Sequence, residues 1–432
     1  MTINNLGTAQ TVQSMLRSNS VLVEVGGSVR RITLDNLMNS INAGNEQLLR
    51  QVAWGVPLQP NGKTSTDWGN VGNIGMYEEF DRASGRYLVT NDGRAAKLLH
   101  STSAYYADGT QVDESKGHIM TIRPRLYFLV KKDAVSGNSV LWMSQLPIGG
   151  HYIEMDVSGA YMGSIAGTAL TSRSGLAPAG NKSINAFWAA AQVNGKNWGL
   201  CSYQTFQSKL VMIALSEYGD SNIQKVLGHG VCGSISKDLW SEASKLKTGA
   251  TKSLGDSFGK IPITLKTEKD TGVDCSRINL AGTEDPYGWM WTMLQGAYFG
   301  CSDNSAQDGT EIFVYEGNRI PSSAELGTHP TGKYRQLKRL GTSGFISELI
   351  LGEYFDLFPS KLDGQSTSGW SDYTYNDGKG QLCLWGGSAN PGPVCGLVCS
   401  NSDYAFSSAL SVFGARLAYY GPITFVDGKD II

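Results

Sequence analysis

The chain has 432 residues, with 36 Lys and Arg against 38 Asp and Glu, so its formal net charge is −2. This balance argues against a general binder of polyanions, and we expect no nucleic-acid partner. Its 53 glycines, 10 tryptophans and 19 tyrosines favour a globular protein with many turns. With 41% hydrophobic residues the chain is too apolar for intrinsic disorder.

Residues 1–55 predict a small module of their own. Two β-rich runs, Val21–Val25 and Val29–Leu34, meet at a Gly-Gly pair, which is typical of a hairpin. Apolar residues then recur on one helical face from 34 to 41, and Thr33 can cap that helix. A hairpin and one short helix bury too little area to fold alone. We therefore expect a partner for this module: a larger assembly, copies of itself or, as the alternative, the body of the same chain.

The opening residues lack the basic and apolar segments of a secretory signal, so we expect synthesis in the cytoplasm without export. The most apolar run is Leu210–Leu215. It is far shorter than the roughly 18 residues of a membrane span, so we expect no membrane insertion.

Residues 56–75 are rich in Gly, Pro, Asn and Ser and predict a linker or long loop. From 76 to 432 the sequence predicts one domain of short strands and few helices, which is an α+β fold. We expect strands at 125–130, 139–143 and 151–157.

Two segments predict helices. Residues 204–218 carry apolar side chains at spacings of three and four, and Gly219 ends the pattern. Residues 345–358 are the second candidate, ended by Pro359. The mixture of Lys, Ser and Gly over 237–270 predicts an exposed insertion.

The seven cysteines are scattered and odd in number, which is typical of buried small side chains in a reducing compartment rather than of a disulfide framework. Cys395 and Cys399 lie four residues apart without the further ligands that zinc needs. The sequence thus predicts no metal site and no cofactor. A calcium site over 303–311 stays an open alternative, although its glycine is out of register for an EF-hand loop.

The segment 384–421 places small residues around polar and aromatic ones without a steady period. Glycine serves where the backbone needs positive φ or close approach, and Ser, Asn, Asp and Tyr suit a surface that binds by adaptable hydrogen bonds and flat aromatic area. This pattern predicts a binding face on a rigid frame. The alternative is an ordinary Gly-rich loop cluster that closes a β domain. Arg416 lies among apolar residues and needs a buried carboxylate or carbonyl partner.

With these residues in view, the chain resembles the C-type-lectin-fold variable proteins of diversity-generating retroelements and the receptor-binding fibre proteins of gut Bacteroidales phages. The resemblance is strongest over 345–421 and moderate over 198–233. The motifs that carry it are Trp385-Gly-Gly-Ser388, Cys395-Gly396, Ser400-Asn-Ser402, Ala405-Phe-Ser407, Gly414-Ala-Arg-Leu-Ala418, Gly352-Glu-Tyr-Phe-Asp-Leu-Phe-Pro359, Ser371-Asp-Tyr373 and the stretch from Ser216 to Gln224.

The resemblance implies a C-type-lectin-like fold, similar to that of formylglycine-generating enzymes, in which fixed residues frame side chains that touch the ligand. Carried over position by position, the displayed ligand-binding side chains are those of Ser388, Asn390, Pro393, Val394, Leu397, Val398, Ser400, Asn401, Asp403, Tyr404, Phe406, Ser408, Leu410 and Val412.

The resemblance also implies a non-enzymatic adhesin: a phage fibre or tail-tip protein of the virion, binding a bacterial surface glycan or protein receptor. The N-terminal module would then contact other virion proteins or form a homotrimer. One alternative is a structural decoration protein of the head or tail that binds no receptor. Another is a glycan hydrolase, which needs two carboxylates about 5–10 Å apart; the candidate pairs are Asp372 with Asp377 and Glu284 with Asp285.

Overall fold

The computed structural model describes residues 20–25, 28–42, 44–58, 70–133, 135–233, 238–267, 271–299, 311–315, 318–327, 334–338, 342–351, 357–367, 370–376, 380–389 and 394–431. Over these residues the chain is a mixed α+β protein, built mostly from antiparallel sheets with few helices. The predicted class is therefore confirmed at this level.

The helices are short. In chain order they are α1 (Leu34–Asn42), α2 (Glu46–Val52), α3 (Ile74–Ala83), α4 (Ile184–Gln192), α5 (Lys209–Tyr218), α6 (Gln224–Leu227), α7 (Trp240–Ala243) and α8 (Ser323–Gly327). A π-helical turn, Tyr203–Ser208, leads directly into α5. Single 3₁₀ turns occur at Glu114–Lys116, Gly230–Cys232, Lys252–Leu254 and Gly428–Asp430.

The strands carry most of the fold. In chain order they are β1 (Ser20–Val25), β2 (Ser28–Thr33), β3 (Trp54–Leu58), β4 (Val71–Gly72), β5 (Gly85–Val89), β6 (Arg94–Leu99), β7 (Thr102–Tyr106), β8 (His118–Arg123), β9 (Leu126–Lys132), β10 (Ser139–Ser144), β11 (His151–Ile153), β12 (Asp156–Gly159), β13 (Ser164–Ala166), β14 (Ala169–Thr171), β15 (Trp198–Leu200), β16 (Gly259–Lys266), β17 (Gly272–Leu280), β18 (Thr283–Glu284), β19 (Trp291–Phe299), β20 (Glu311–Tyr315), β21 (Tyr334–Lys338), β22 (Gly344–Phe345), β23 (Glu348–Leu351), β24 (Leu357–Lys361), β25 (Tyr373–Tyr375), β26 (Leu382–Trp385), β27 (Ser400–Tyr404), β28 (Phe413–Ala415), β29 (Leu417–Tyr419) and β30 (Thr424–Val426).

Two large sheets organise the molecule. The first has the order β15-β29-β12-β8-β5-β6-β30, with β7 paired to β6. The second has the order β21-β20-β19-β26-β27-β25-β22, with β28 parallel to β19. A smaller sheet, β11-β9-β10-β3-β4, lies beside them. Strands β26, β27 and β28 therefore belong to the second large sheet and β29 to the first, and the chain crosses from one sheet to the other between β28 and β29.

The N-terminal hairpin and helix are found as predicted. Strands β1 and β2 pair in antiparallel register, from the pair Val25 and Ser28 to the pair Ser20 and Thr33. Helix α1 follows, and Thr33 Oγ1 accepts a hydrogen bond from the Asn36 N–H over 3.3 Å, because the first N–H groups of a helix lack partners inside it.

The predicted boundary after residue 55 is wrong. Leu37 of α1 and Leu49 of α2 are fully buried in the hydrophobic core that also holds Trp385. Strand β3 runs across the boundary and pairs with β10 in the smaller sheet. Apolar area on both short helices is covered by the body of the same chain, so the described part of this module packs on the main domain.

The predicted linker 56–75 is corrected in the same way at both ends. Its first residues belong to β3, and its last ones form β4 and the start of α3, where Asn73 accepts a capping hydrogen bond from the Gly75 N–H. Of the polar residues that suggested a linker here, Asn73 serves as a helix-cap residue. Residues 59–69 lie outside the described residues.

The predicted helix over 204–218 is confirmed, with a π-helical first turn and α5 after it. Nearly every side chain of α5 is buried. Gly219 ends the helix in the left-handed conformation, with φ of 59°, and its N–H bonds the carbonyl of Leu215, which is the usual role of glycine at this position.

The second predicted helix, 345–358, is wrong. Its described residues form β22, β23 and β24 instead, and Pro359 lies within β24. Strand β24 pairs with β23 in a two-stranded sheet, where a missing proline N–H is tolerated because the strand has a free edge. Phe358 stacks on Tyr203, with ring centroids 4.7 Å apart. This tertiary contact favours the strand, because the periodicity of a short apolar run fits a helix or a strand equally well.

The segment 237–270, predicted to be an exposed insertion, has exposed residues such as Lys245, Lys247 and Lys260, and it also has buried ones. Leu239 and Ala243 are fully buried. Thr251 and Asp256 bond to Arg86 in the interior: the Arg86 guanidinium donates to Thr251 Oγ1 over 2.8 Å, and the Arg86 backbone N–H donates to Asp256 Oδ1 over 2.6 Å. Polar residues that suggested solvent instead satisfy a buried arginine.

Candidate functional site

Arg416 fixes the point where the chain passes between the two large sheets. Its side chain is fully buried. Nη2 donates to the carbonyl oxygens of Glu284 and Asp285 over 2.6 and 2.7 Å, and Nη1 donates to those of Gly159 and Ala160 over 3.4 and 3.3 Å. The expected carbonyl partners are thus present. Burial lowers the pKa of this guanidinium, and carbonyl dipoles take the place of water around it.

Glu284 and Asp285, a candidate hydrolase pair, do not line a cleft. Arg277 binds both: its Nη2 lies 3.0 Å from Glu284 Oε1 and its Nε 2.6 Å from Asp285 Oδ2. Both carboxylates are buried, at 0% and 1% exposure. Burial raises the pKa of Asp285 to about 6 although Arg277 acts to lower it. This geometry is that of a buried ion-pair network and not of an acid and base facing a substrate.

Asp372, from the other candidate pair, is also interior. Its Oδ2 accepts a hydrogen bond from the Val398 N–H over 2.6 Å, and its Oδ1 accepts one from the Gln224 amide. Burial raises its pKa to about 7. It ties the segment around 394–399 to α6, whereas its proposed mate Asp377 lies outside the described residues.

The predicted displayed face is largely interior, which corrects the sequence prediction. Strand β26 is buried along its whole length, and so are the first three residues of β27. Ser388, Leu397, Val398, Ser400, Asn401 and Phe406 are buried, Val394, Asp403, Tyr404, Ser408 and Val412 are half-buried, Leu410 is 41% exposed, and Asn390 and Pro393 lie outside the described residues.

One part of that segment does reach the surface. We call residues 407–411 the C-terminal loop. Ser407, Ala409, Leu410 and Ser411 are exposed. The loop is held at its end, because Ser411 Oγ accepts a hydrogen bond from the Trp240 indole over 3.0 Å.

Farther along the chain, Tyr420 enters a surface groove that the sequence did not predict. Two adjoining cavities of about 530 and 300 Å³ share Glu154, Thr205 and Tyr420 in their walls. We call them together the tyrosine groove, with lining side chains that include His151, Tyr152, Glu154, Ser202, Gln204, Thr205, Tyr315 and Tyr420. The larger volume falls within the range of small-ligand sites, about 300–1,000 Å³.

The aromatic rings of the groove are held in place by polar contacts. Tyr420 is 38% exposed, and its hydroxyl donates to the Leu200 carbonyl over 2.5 Å. Tyr152 is 46% exposed, and the Arg125 guanidinium carbon lies 4.8 Å from its ring centroid. These tyrosines offer rigid apolar surface beside polar groups.

The charges of the groove are paired. Arg125 binds the Glu154 carboxylate through Nε and Nη2 over 2.8–3.0 Å. Asp156, at the inner end of the smaller cavity, pairs with buried Arg123 over 2.9 Å. Behind the wall, buried Lys209 donates to the carbonyl oxygens of Pro124 and Glu154. Each carboxylate that lines the two cavities therefore has an arginine partner.

Sequence reasoning missed this groove because its walls come from strand β11, the π-helical turn, β20 and the end of β29. The available signals were small: Tyr152 lies between His151 and Ile153 at an outward position of a short strand, and Tyr420 lies inside the segment 384–421 but is not among the predicted ligand-binding side chains.

The described cysteines, at 201, 232, 275, 383, 395 and 399, are buried and not joined by disulfides. Among the described residues, no group of three or more His, Cys, Asp or Glu side chains is placed to hold a metal ion. The part of the chain that the structure describes contains no helix of the length and apolarity needed to cross a membrane.

No family model matches the chain, and no curated protein sequence matches it.

Proposed function

We propose that this chain is a non-enzymatic receptor-binding protein of a phage virion, which attaches to a structure on the bacterial surface. The observation that carries the proposal is the way the C-terminal segment is mounted. Strands β26, β27 and β28 belong to the second large sheet and β29 to the first, and the same segment brings the C-terminal loop and Tyr420 to the surface. Surface elements on a rigid scaffold are where binding residues concentrate.

The resemblance to retroelement-diversified lectins and Bacteroidales phage fibres supports the same proposal. On this view the α+β frame is C-type-lectin-like, and Arg416 is one of its fixed residues. The displayed surface is then smaller than the sequence indicated: it consists of the C-terminal loop, the half-buried side chains of Asp403 and Tyr404, and Tyr420.

The proposal includes assembly through the first residues. An isolated two-stranded hairpin is marginally stable in water, and β1 and β2 pair only with each other among the described strands. We propose that this hairpin contacts other virion proteins or its own copies in a homotrimer. Several weak sites on one particle would then bind with high avidity.

Binding of the purified full-length chain to intact gut Bacteroidales cells tests the proposal. We expect saturable binding to a subset of strains, with fluorescent chain displaced by unlabelled chain. Absence of saturable binding across a broad strain panel would overturn the proposal and favour a structural decoration protein of the head or tail. Light scattering during size-exclusion chromatography tests assembly: a trimer is expected, and a monomer at micromolar concentration would contradict it.

A further inference from the structure

We propose that the tyrosine groove is a binding site for a neutral oligosaccharide. This inference rests on the proposed function, since it assigns the receptor of that proposal to a chemical class and to a place on the molecule outside the predicted displayed face. The groove joins Tyr152 and Glu154, Gln204 and Thr205 with Tyr420, which come from three distant parts of the sequence.

The first argument is the exposed aromatic surface. A sugar ring has an apolar face of C–H groups and an edge of hydroxyl groups. Tyr152 and Tyr420 expose ring surface in a concave site, which suits the apolar face of a sugar. Both rings are held by the contacts to Arg125 and to the Leu200 carbonyl, so little conformational entropy is lost when a ligand binds.

The second argument is the set of hydrogen-bonding groups beside the rings. The side-chain amide of Gln204 makes no hydrogen bond to the described part of the chain. It offers both a donor and an acceptor to the groove. Ser202 and Thr205 add hydroxyl groups, 2.9 Å from each other. Sugar hydroxyls also donate and accept at the same atom, so they match amides and hydroxyls better than charged groups.

The third argument is charge, which decides between kinds of ligand. The Glu154 carboxylate is held by Arg125, and the Asp156 carboxylate by Arg123. An anionic sugar or phosphate would meet two carboxylates whose arginines are already engaged, and a basic peptide would have to displace those arginines. A neutral ligand is not repelled by the carboxylates and does not have to displace the arginines, so electrostatics favours a neutral ligand.

The test uses variants of the full-length chain that differ only at the surface. Tyr152→Ala removes the exposed ring, and Tyr152→Phe keeps the ring without its hydroxyl. Tyr105→Ala is the matched control, because Tyr105 is 45% exposed, close to the 46% of Tyr152, and does not line the groove. Gln204→Leu removes the free amide. Circular dichroism and size-exclusion chromatography establish that each variant is folded.

Two probes are used: an immobilised panel of neutral, sialylated and sulfated oligosaccharides, and gut Bacteroidales cells with and without periodate, which cleaves sugar diols. We expect native chain, Tyr152→Phe and Tyr105→Ala to bind at least one neutral oligosaccharide. Tyr152→Ala and Gln204→Leu should bind it about tenfold more weakly or worse, and periodate should abolish binding to cells.

The outcomes separate this inference from the proposed function. Cell binding that survives periodate, or that is unchanged in Tyr152→Ala, overturns the glycan groove and leaves a receptor-binding protein with another site. Absence of cell binding together with Tyr152-dependent binding of a neutral oligosaccharide overturns the proposed function and supports the groove. Absence of binding to both probes overturns both.

Discussion

Arg123 and Asp156 form an ion pair that is closed to water: Nη1 lies 2.9 Å from Oδ2, and the two side chains are 0% and 1% exposed. Arg123 also donates to Thr121 and Thr283 and to the carbonyl of Ala281. Asp156 lines the tyrosine groove, so the geometry of the groove depends on this buried hydrogen-bond network.

Removing one member of this pair leaves an uncompensated buried charge. Arg123→Ala should lower the free energy of unfolding by about 3–5 kcal/mol, measured by urea denaturation. Arg82→Ala is the control, because Arg82 is 70% exposed and its partner Glu79 is one helical turn away; it should change stability by less than about 1 kcal/mol. Equal effects of the two substitutions would contradict the buried network.

Asp372 should make stability depend on pH. Burial raises its pKa to about 7 from an ordinary value of 3.8, so between about pH 4 and pH 7 the folded state holds a proton that the unfolded state has lost. The contribution of this carboxyl to stability is therefore complete below about pH 4 and is lost as the pH rises through about 7.

Asp372→Asn tests this pH dependence. The amide stays neutral, and its oxygen can still accept from the Val398 N–H. Urea denaturation from pH 4 to pH 7 should show that native stability falls more steeply than that of the variant, by on the order of a few kcal/mol across the window. Asp427→Asn, at a side chain that is 65% exposed, should leave the native slope unchanged. If the stability of Asp372→Asn fell with pH as steeply as that of the native chain, the pH dependence could not be assigned to Asp372.

Gly387 should not tolerate a side chain. Its φ is 76°, and a Cβ there would lie 2.4 Å from Cys395 Sγ and 3.1 Å from Cys395 Cα. Gly109 has a similar φ of 87° with nothing within 4 Å of such a Cβ. Gly109→Ala should cost roughly 1–2 kcal/mol through the left-handed backbone alone. Gly387→Ala should cost clearly more because of the added steric clash, and thermal unfolding of the two variants compares them. Equal costs would mean that Cys395 moves aside freely.

The buried thiols should be unreactive in the folded chain. Burial raises the pKa of Cys395 and Cys399 well above the ordinary value, and the thiolate is the reactive form. Iodoacetamide at pH 8 should modify these two cysteines in urea and leave them unmodified in buffer, as read by peptide mass spectrometry. Rapid modification of Cys395 in buffer would show that the segment around it opens readily.

Local structure was predictable where local chemistry decides it. The Gly-Gly pair between two β-rich runs predicted the hairpin β1–β2, and the apolar spacing with Gly219 predicted the helix after the π-helical turn. The structure of segment 345–358 was not predictable, because a short apolar run fits either a helix or a strand. The contact between Phe358 and Tyr203 decides between the two. The mixed α+β class followed from the many short strands.

The proposed binding surface was less predictable, for a physical reason. The mixture of polar and small residues over 384–421 indicates special backbone geometry, but polar side chains can serve buried neighbours as well as a ligand. Ser400 bonds Thr374 over 2.7 Å inside the sheet. Tyr152 and Tyr420 are brought to one groove only by the order of the strands, which no local pattern records.

The placement of β29 has a consequence for biosynthesis. This strand pairs on one side with β12 and on the other with β15, and Arg416 just before it reaches the Gly159 carbonyl, 257 positions away in the sequence. Until the ribosome has translated β29, both β12 and β15 lack the strand that pairs with them. Sheets closed by such distant segments fold slowly and expose unpaired edges. The nascent chain should therefore depend on chaperones until residues 417–419 emerge from the ribosomal exit tunnel.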